Sequence, residues 1–254
     1  MNGEKRIGSD HGFDEGNWVQ DLSWTAVEQR LAAGAAALLP IGAASKEHGP
    51  HLPHGTDYIQ AAYYAERLAE TFDFLIWPVA TYGYYPVFTE YPGSISLREE
   101  TFRAIVAEIL DGIVHAGASR VVVLNTGIST IAPLEQLLEV RETRPPMKLI
   151  NCYAGPRFAR TVHEIEEQAF GGHADEVETA LMLAIDPPRV ALDRARPAEI
   201  HVKRGMFNRT DPDAPNYSPT GVNGDPTRAT IEKGERLLAA LIEDLMAEVS
   251  EFAQ

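Results

Sequence analysis

Five side chains able to bind a metal or move a proton fall within eleven residues: Glu47, His48, His51, His54 and Asp57. Imidazole and carboxylate are the ligand types of zinc, iron, manganese and nickel, whereas carboxylate alone suits harder ions. Gly49, Pro50, Pro53 and Gly55 punctuate the run and pre-set where the side chains between them point, at little cost in a loop. A lone histidine is most often a surface or satisfied core residue. Three of them with two carboxylates in so short a stretch point instead to a metal or catalytic site. A second constellation opens the helix expected over Gly171 to Leu183, with His173 before its first turn and Asp175, Glu176 and Glu178 within it. Acids complement the dipole of an N-terminal turn, which accounts for Asp175 and Glu176. It accounts less well for Glu178, which lies beside an apolar face of Val177, Leu181 and Ala184.

The elements that must position these residues read as alternating strands and helices. Ala35 to Ile41 is a continuous apolar run, followed by the His-rich stretch and by a helical pattern over Tyr58 to Glu70. The His-rich stretch is therefore a strand-to-helix loop, the place where open parallel sheets bind ligands. Further buried strands are expected at Phe72 to Ala80, Arg120 to Asn125 and Met147 to Tyr153. The third ends in Asn125-Thr-Gly-Ile-Ser-Thr130, a small polar loop whose N–H groups and Ser129 or Thr130 hydroxyl suit an oxyanion. Leu22, Trp24, Val27 and Leu31 space like one helix face, with Ser23 or Thr25 as its cap. Ser96 and Glu99 form a capping box for a helix running to about His115, with Phe102, Ile105, Ile109 and Ile113 on one face. Leu134 to Val140 reads as a short helix and Thr230 to Phe252 as a long amphipathic one.

Two segments lack such periodicity. Residues 81–97 are aromatic and punctuated by Gly83, Pro86, Pro92 and Gly93, which suits a pocket wall for a small, partly apolar ligand, or else a structural loop or subunit contact. Residues 186–229, rich in Pro, Arg and Asp, suit a lid or a subunit contact. Residues 1–16 are polar and Gly-rich and are expected to be flexible. No linker interrupts the middle of the 254 residues, so a single α/β domain over 1–254 is expected, with a layered α/β/α architecture and a mostly parallel central sheet.

A net charge of −15 argues against nucleic-acid and anionic-membrane partners and reads as ordinary acidic solubility. Cys152 is the only cysteine, so neither an internal disulfide nor a thiolate cluster forms within one chain. No apolar run approaches a membrane span and no signal-peptide core opens the chain. A soluble, cytoplasmic protein is expected.

Leu39-Pro-Ile-Gly42, Glu47-His-Gly-Pro-His-Leu-Pro53 and Gly55-Thr-Asp57 closely resemble the signature of the creatininase (creatinine amidohydrolase) family. Weaker likenesses at Tyr91-Pro-Gly-Ser-Ile-Ser-Leu97, at His173-Ala174 with Glu178-Thr179, and at Gly221-Val-Asn-Gly-Asp-Pro226 extend it from about Trp24 to Leu245. The resemblance implies a layered α/β fold and a two-metal site that hydrolyses an amide C–N bond of a small cyclic or linear substrate. It implies a divalent metal, zinc first with manganese or iron as alternatives, and a homo-oligomer, commonly a hexamer. His48 and Asp57 align with family metal ligands. The family's Glu position is Lys46 here; Glu47, one residue late, becomes the third ligand if a one-residue bulge turns it inward. The family's His and acidic ligand after the third strand align with Gly127 and Ser129, which leaves open one metal, rerouted ligands or no metal. His173 and Glu178 are implied as the proton carriers to the leaving nitrogen, and Glu178 is alternatively a replacement ligand. Creatinine itself is not the expected substrate. The rival readings are a small-molecule-binding or regulatory protein without catalysis, and an enzyme that uses Lys46 without metal.

Overall fold

The computed structural model describes residues 15–140, 145–202 and 205–253. Four strands form one sheet: β1 (Ala36–Ile41), β2 (Phe74–Ile76), β3 (Val121–Asn125) and β4 (Met147–Asn151). They pair in the order β2-β1-β3-β4, all parallel. A strand's side chains alternate between faces, and here both faces are covered. Leu38, Ile76, Val122 and Leu124 pack into one core, and Leu39, Leu75, Val121 and Val123 into the other. Strands buried on both sides read as unbroken apolar runs, which is why β1 and β3 stand out in the sequence.

The first core is closed by α2 (Thr56–Ala69), α5 (Pro156–Ile165), α6 (Glu176–Ile185) and α7 (Ile231–Ala253). The second is closed by α1 (Trp24–Ala32), α3 (Glu99–His115) and α4 (Ile131–Glu139). This is the expected α/β/α layering with a parallel central sheet. In α7, Leu237, Leu241, Leu245 and Val249 are buried, the face its periodicity marks.

Several local expectations change. The second strand ends at Ile76, two residues before Pro78, and the chain returns to the sheet for a single bridge between Ala80 and Ile41. The capping box does not form: the Ser96 hydroxyl accepts the Tyr85 N–H and donates to the Leu97 carbonyl, so Arg98 caps α3 without a side-chain bond. On α3 the buried face is Phe102, Val106, Leu110 and Ile113, whereas Ile105 is exposed. Ser23 does cap α1, accepting the Ala26 N–H, but Trp24 is 75% exposed, so that helix buries Leu31 instead. Helix α5 has no counterpart in the sequence reading. It begins with Pro156 and turns Phe158, Val162 and Ile165, spaced at a helical period, toward the first core, a short signal that the sequence reading passed over. Residues 1–14 of the segment expected to be flexible lie outside the described residues. Residues 186–229 carry short 3-10 turns at Pro187–Arg189, Leu192–Arg194 and Pro226–Arg228.

The carboxyl ends of β1 and β3 and the N-termini of α2 and α6 meet at one edge of the sheet. At Gly42 a side chain's Cβ would lie 2.4 Å from the Asp57 carbonyl oxygen and 2.8 Å from Ala61 Cβ. Only glycine lets the first turn of α2 sit this close to the end of β1. Gly42→Ala is expected to destabilise the protein by about 1–3 kcal/mol through overpacking, read as a lowered midpoint of urea unfolding; an unchanged midpoint would contradict the close approach.

Candidate active site and metal centre

Lys46, Glu47, His48 and Asp57 are all buried at this edge. Asp57, in the first turn of α2, is held at both carboxylate oxygens. Its Oδ1 lies 3.1 Å from His48 Nε2 and its Oδ2 lies 2.7 Å from Lys46 Nζ. Burial alone would push this carboxyl up, but the Lys46 ammonium and then His48 outweigh it and hold Asp57 far below the usual carboxylate range.

The hydrogen bonds fix the proton on each imidazole. His48 Nδ1 lies 2.9 Å from the Lys46 carbonyl oxygen. A carbonyl only accepts, so Nδ1 carries the hydrogen and Nε2 of the neutral ring is bare. That nitrogen faces Asp57 at 3.1 Å and Glu178 Oε1 at 3.5 Å. Three acceptors converging in a buried site need a cation among them, either a second proton on His48 or a metal ion. His173 mirrors the arrangement. Its Nε2 lies 2.6 Å from Glu47 Oε1 and 3.0 Å from the Glu47 carbonyl, so Nε2 is the donor and Nδ1 faces Glu178 Oε2 at 3.8 Å. Ligand atoms of His48, His173 and Glu178 all lie within 4.8 Å of one another. Donors bound tetrahedrally at zinc distances stand roughly 3.3–3.4 Å apart, a few tenths of an ångström closer than the 3.5 and 3.8 Å from His48 and His173 to the two Glu178 oxygens. The donor set therefore fits a divalent ion, with Glu47 behind His173 and the Lys46 carbonyl behind His48 in the orienting positions that metal-bound histidines need.

The turn before α6 brings its share of these groups into place. Asp175 caps the helix, accepting the Glu178 N–H at 3.0 Å through Oδ1 and the Gly172 N–H at 2.8 Å through Oδ2. Glu178 Oε2 accepts the Ala174 N–H at 2.7 Å. Ala174 has φ +48°, a left-handed conformation costly for a residue with a Cβ and typical of functional sites. The His173 backbone pairs with Asn223 in both directions, at 3.3 and 2.9 Å. Its ring packs on Phe88 with centroids 4.2 Å apart and on Phe207 at 6.1 Å. Burial opposes charging His173, but Glu47 and then Glu178 outweigh it and the net direction is upward. Burial likewise opposes ionising Glu47, yet His173 carries it downward.

The remaining expected residues do other work. His51 is pushed down to about 4 by burial, so it is a neutral ring, and its Nε2 lies 2.8 Å from the Thr179 hydroxyl, tying the loop to α6. His54 meets the Pro92 carbonyl at 3.0 Å. After β3, Asn125 accepts the Gly127 N–H and the Thr130 hydroxyl at 3.2 and 2.7 Å, so that hydroxyl serves the loop, while Ser129 lines the cavity. A cavity of about 740 Å³ opens on the site, lined among others by Lys46, Asp57, Tyr85, Phe88, His173 and Glu178. The aromatic segment 81–97 thus contributes to a pocket wall. So does residue 207 of the 186–229 segment, whose Phe207 packs on Phe88 with centroids 5.5 Å apart.

The expected residues therefore split. His48, His173 and Glu178 converge, whereas Asp57 spans His48 and Lys46 and Glu47 turns toward His173. Sequence reasoning passed over Tyr85, whose buried hydroxyl has no hydrogen-bond partner among the described residues, and Asn223, whose signal was only its place in a Gly-rich turn.

A three-layer α/β fold with a buried imidazole–carboxylate cluster at the carboxyl edge of a parallel sheet defines a class of site that binds and activates small polar ligands. Within that class the chain belongs to the creatininase family: the family model for creatinine amidohydrolase matches residues 20–249. It is 27% identical to the creatinine amidohydrolase of Pseudomonas putida over 92% of this chain and 96% of that one. It is 26% identical to the mycofactocin precursor peptide peptidase of Mycobacterium tuberculosis (strain H37Rv), over 91% of each. In fold it is similar to a crystal structure of creatinine amidohydrolase, with a TM-score of 0.79 at 24% identity, covering 94% of this chain and 98% of that one. A manganese form of creatininase has a TM-score of 0.77 at 24% identity, covering 94% and 99%. Among the described residues no helix is long and apolar enough to cross a membrane.

Asp175→Ala removes the cap that sets Glu178. It is expected to cost about 1–2 kcal/mol of stability, measured by denaturant unfolding; a loss within about 0.3 kcal/mol would deny the cap its role.

Proposed function

We propose that this protein is a metal-dependent hydrolase that cleaves an amide C–N bond of a small cyclic or linear substrate held in the cavity. The observation that carries the reading is the convergence of two bare imidazole nitrogens and a carboxylate, those of His48, His173 and Glu178, on one buried point. Family membership supports it, since the curated relatives are named as hydrolases, one of them an amidohydrolase and another a peptidase. Charge supports it too. Glu47, Asp57 and Glu178 against Lys46 leave two negative charges, which a divalent ion would balance.

In this reading His48, His173 and Glu178 hold the ion, and the expectation of Glu178 as a replacement ligand is the one the geometry favours. When bound, the ion polarises a carbonyl and makes hydroxide available from water near neutral pH. Asp57 keeps His48 and Lys46 in register. Glu47 accepts a hydrogen bond from the His173 Nε2–H, which keeps the hydrogen on Nε2 and Nδ1 bare. Glu178, the most exposed of the three at 18% of its side chain, is the ligand that faces the cavity. Phe88 and Phe207 exclude water from the His173 side.

The test is metal content by plasma mass spectrometry, followed by a screen of cyclic and linear amides with zinc, manganese or iron supplied. His48→Ala is expected to abolish both metal retention and turnover. Glu47→Gln, which alters the group behind His173 and keeps an oxygen for the Gly49 N–H, is expected to weaken metal binding by roughly 10–100-fold. Full metal occupancy in His48→Ala would refute the ligand set. Tight binding of a small molecule with no turnover under any metal would replace the enzyme with a binding protein.

A further inference from the structure

Lys46 is an unusual neighbour for a metal site. The residue is 7% exposed and lines the cavity, and its ammonium lies 2.7 Å from Asp57 Oδ2. Among the described residues it has no other oxygen acceptor, and the rings of Phe88 and Tyr85 stand 5.2 and 5.7 Å from it. Aromatic faces of this kind favour a cation. Thus Asp57 has one oxygen on the imidazole of the converging cluster and the other on a fixed positive charge.

We infer that Lys46 is a built-in second cation, standing where a carboxylate-bound metal ion would otherwise sit, so that each chain takes one exchangeable divalent ion and not two. The inference rests on the reading of a metal at His48, His173 and Glu178. Three observations carry it. First, an ion bound at Asp57 Oδ2 would meet the ammonium at roughly 3 Å in a buried site, where like charges repel strongly. Second, the three carboxylates are neutralised by Lys46 and one divalent ion together, whereas two divalent ions would leave the buried cluster with an uncompensated positive charge. Third, position 127 of the facing loop has no room for a ligand side chain. A Cβ on Gly127 would lie 2.6 Å from the Thr130 hydroxyl and 3.3 Å from Tyr85 Cε1, and the Thr130 hydroxyl is bonded to Asn125.

The experiment strips the full-length protein with a chelator, dialyses it against zinc chloride and, separately, manganese chloride, and measures ions per chain by plasma mass spectrometry. The wild type is expected to hold one ion, lost in His48→Ala. Lys46→Arg keeps the charge and is expected to stay at one. Lys46→Glu exchanges the cation for a carboxylate beside Asp57 and is expected to rise to two. Should that variant fail to fold, Lys46→Ala frees Asp57 Oδ2 without adding charge, and a second, weaker ion is expected. Two ions in the wild type would overturn the inference while leaving the metal reading intact, and a folded Lys46→Glu or Lys46→Ala with a single ion would also overturn it. No ion in the wild type would remove the metal reading and this inference with it.

Discussion

A carboxylate that no water reaches can stay ionised only if positive charge stands at its oxygens. Asp57 meets that condition with the Lys46 ammonium on one oxygen and the His48 ring on the other. The requirement propagates outward. Lys46 and His48 must come from the loop after β1, Asp57 from the first turn of α2, and the two must approach more closely than an ordinary side chain at position 42 allows. The parallel sheet supplies the edge at which these elements meet, and its two apolar cores hold the edge rigid.

The second half of the site has a different origin. His173 and Glu178 belong to a turn clamped by the Asp175 cap, the Asn223 backbone pair and the left-handed Ala174. That conformation is costly, and it is over-determined by bonds that converge from three directions. The result is that the His173 and Glu178 side chains approach His48 from the start of α6, while Asp57 approaches from the first turn of α2. A site built from two helix starts depends on both being fixed against the loop after β1, and the Thr179–His51 bond ties that loop to α6.

The strands and most helices were legible because burial on two faces or on one stripe leaves a period in the sequence, as in β1, β3 and α7. The dense spacing of Glu47, His48 and Asp57 marked the loop for the same reason that a cluster is improbable by chance. Other features left a weaker trace or none. Helix α5 carries only Phe158, Val162 and Ile165 at helical spacing within a short, otherwise polar run. The Ser96–Glu99 pattern matched a capping box, yet a tertiary partner, the Tyr85 N–H, took the hydroxyl. Which carboxylate turned to which imidazole was also hidden, because Glu47 adjoins His48 in sequence yet it is Asp57, nine positions on, that meets the His48 ring. Glu47 reaches across 126 positions to His173, a pairing that only the folded chain can state.

Residue 46 also shows how one position can serve a site twice. Its carbonyl accepts the His48 Nδ1 hydrogen and so sets the ring's orientation whatever side chain the residue carries. Its side chain, free of that duty, sets the charge at Asp57 Oδ2. Backbone geometry and local charge are thereby separable at this position, so the kind of cation beside Asp57 can change while His48 stays where it is. At His48 itself no such separation exists, because the ring supplies both the geometry and the donor atom. The tolerance of the cluster to substitution is for this reason expected to be concentrated at position 46, and its intolerance at 48 and 57.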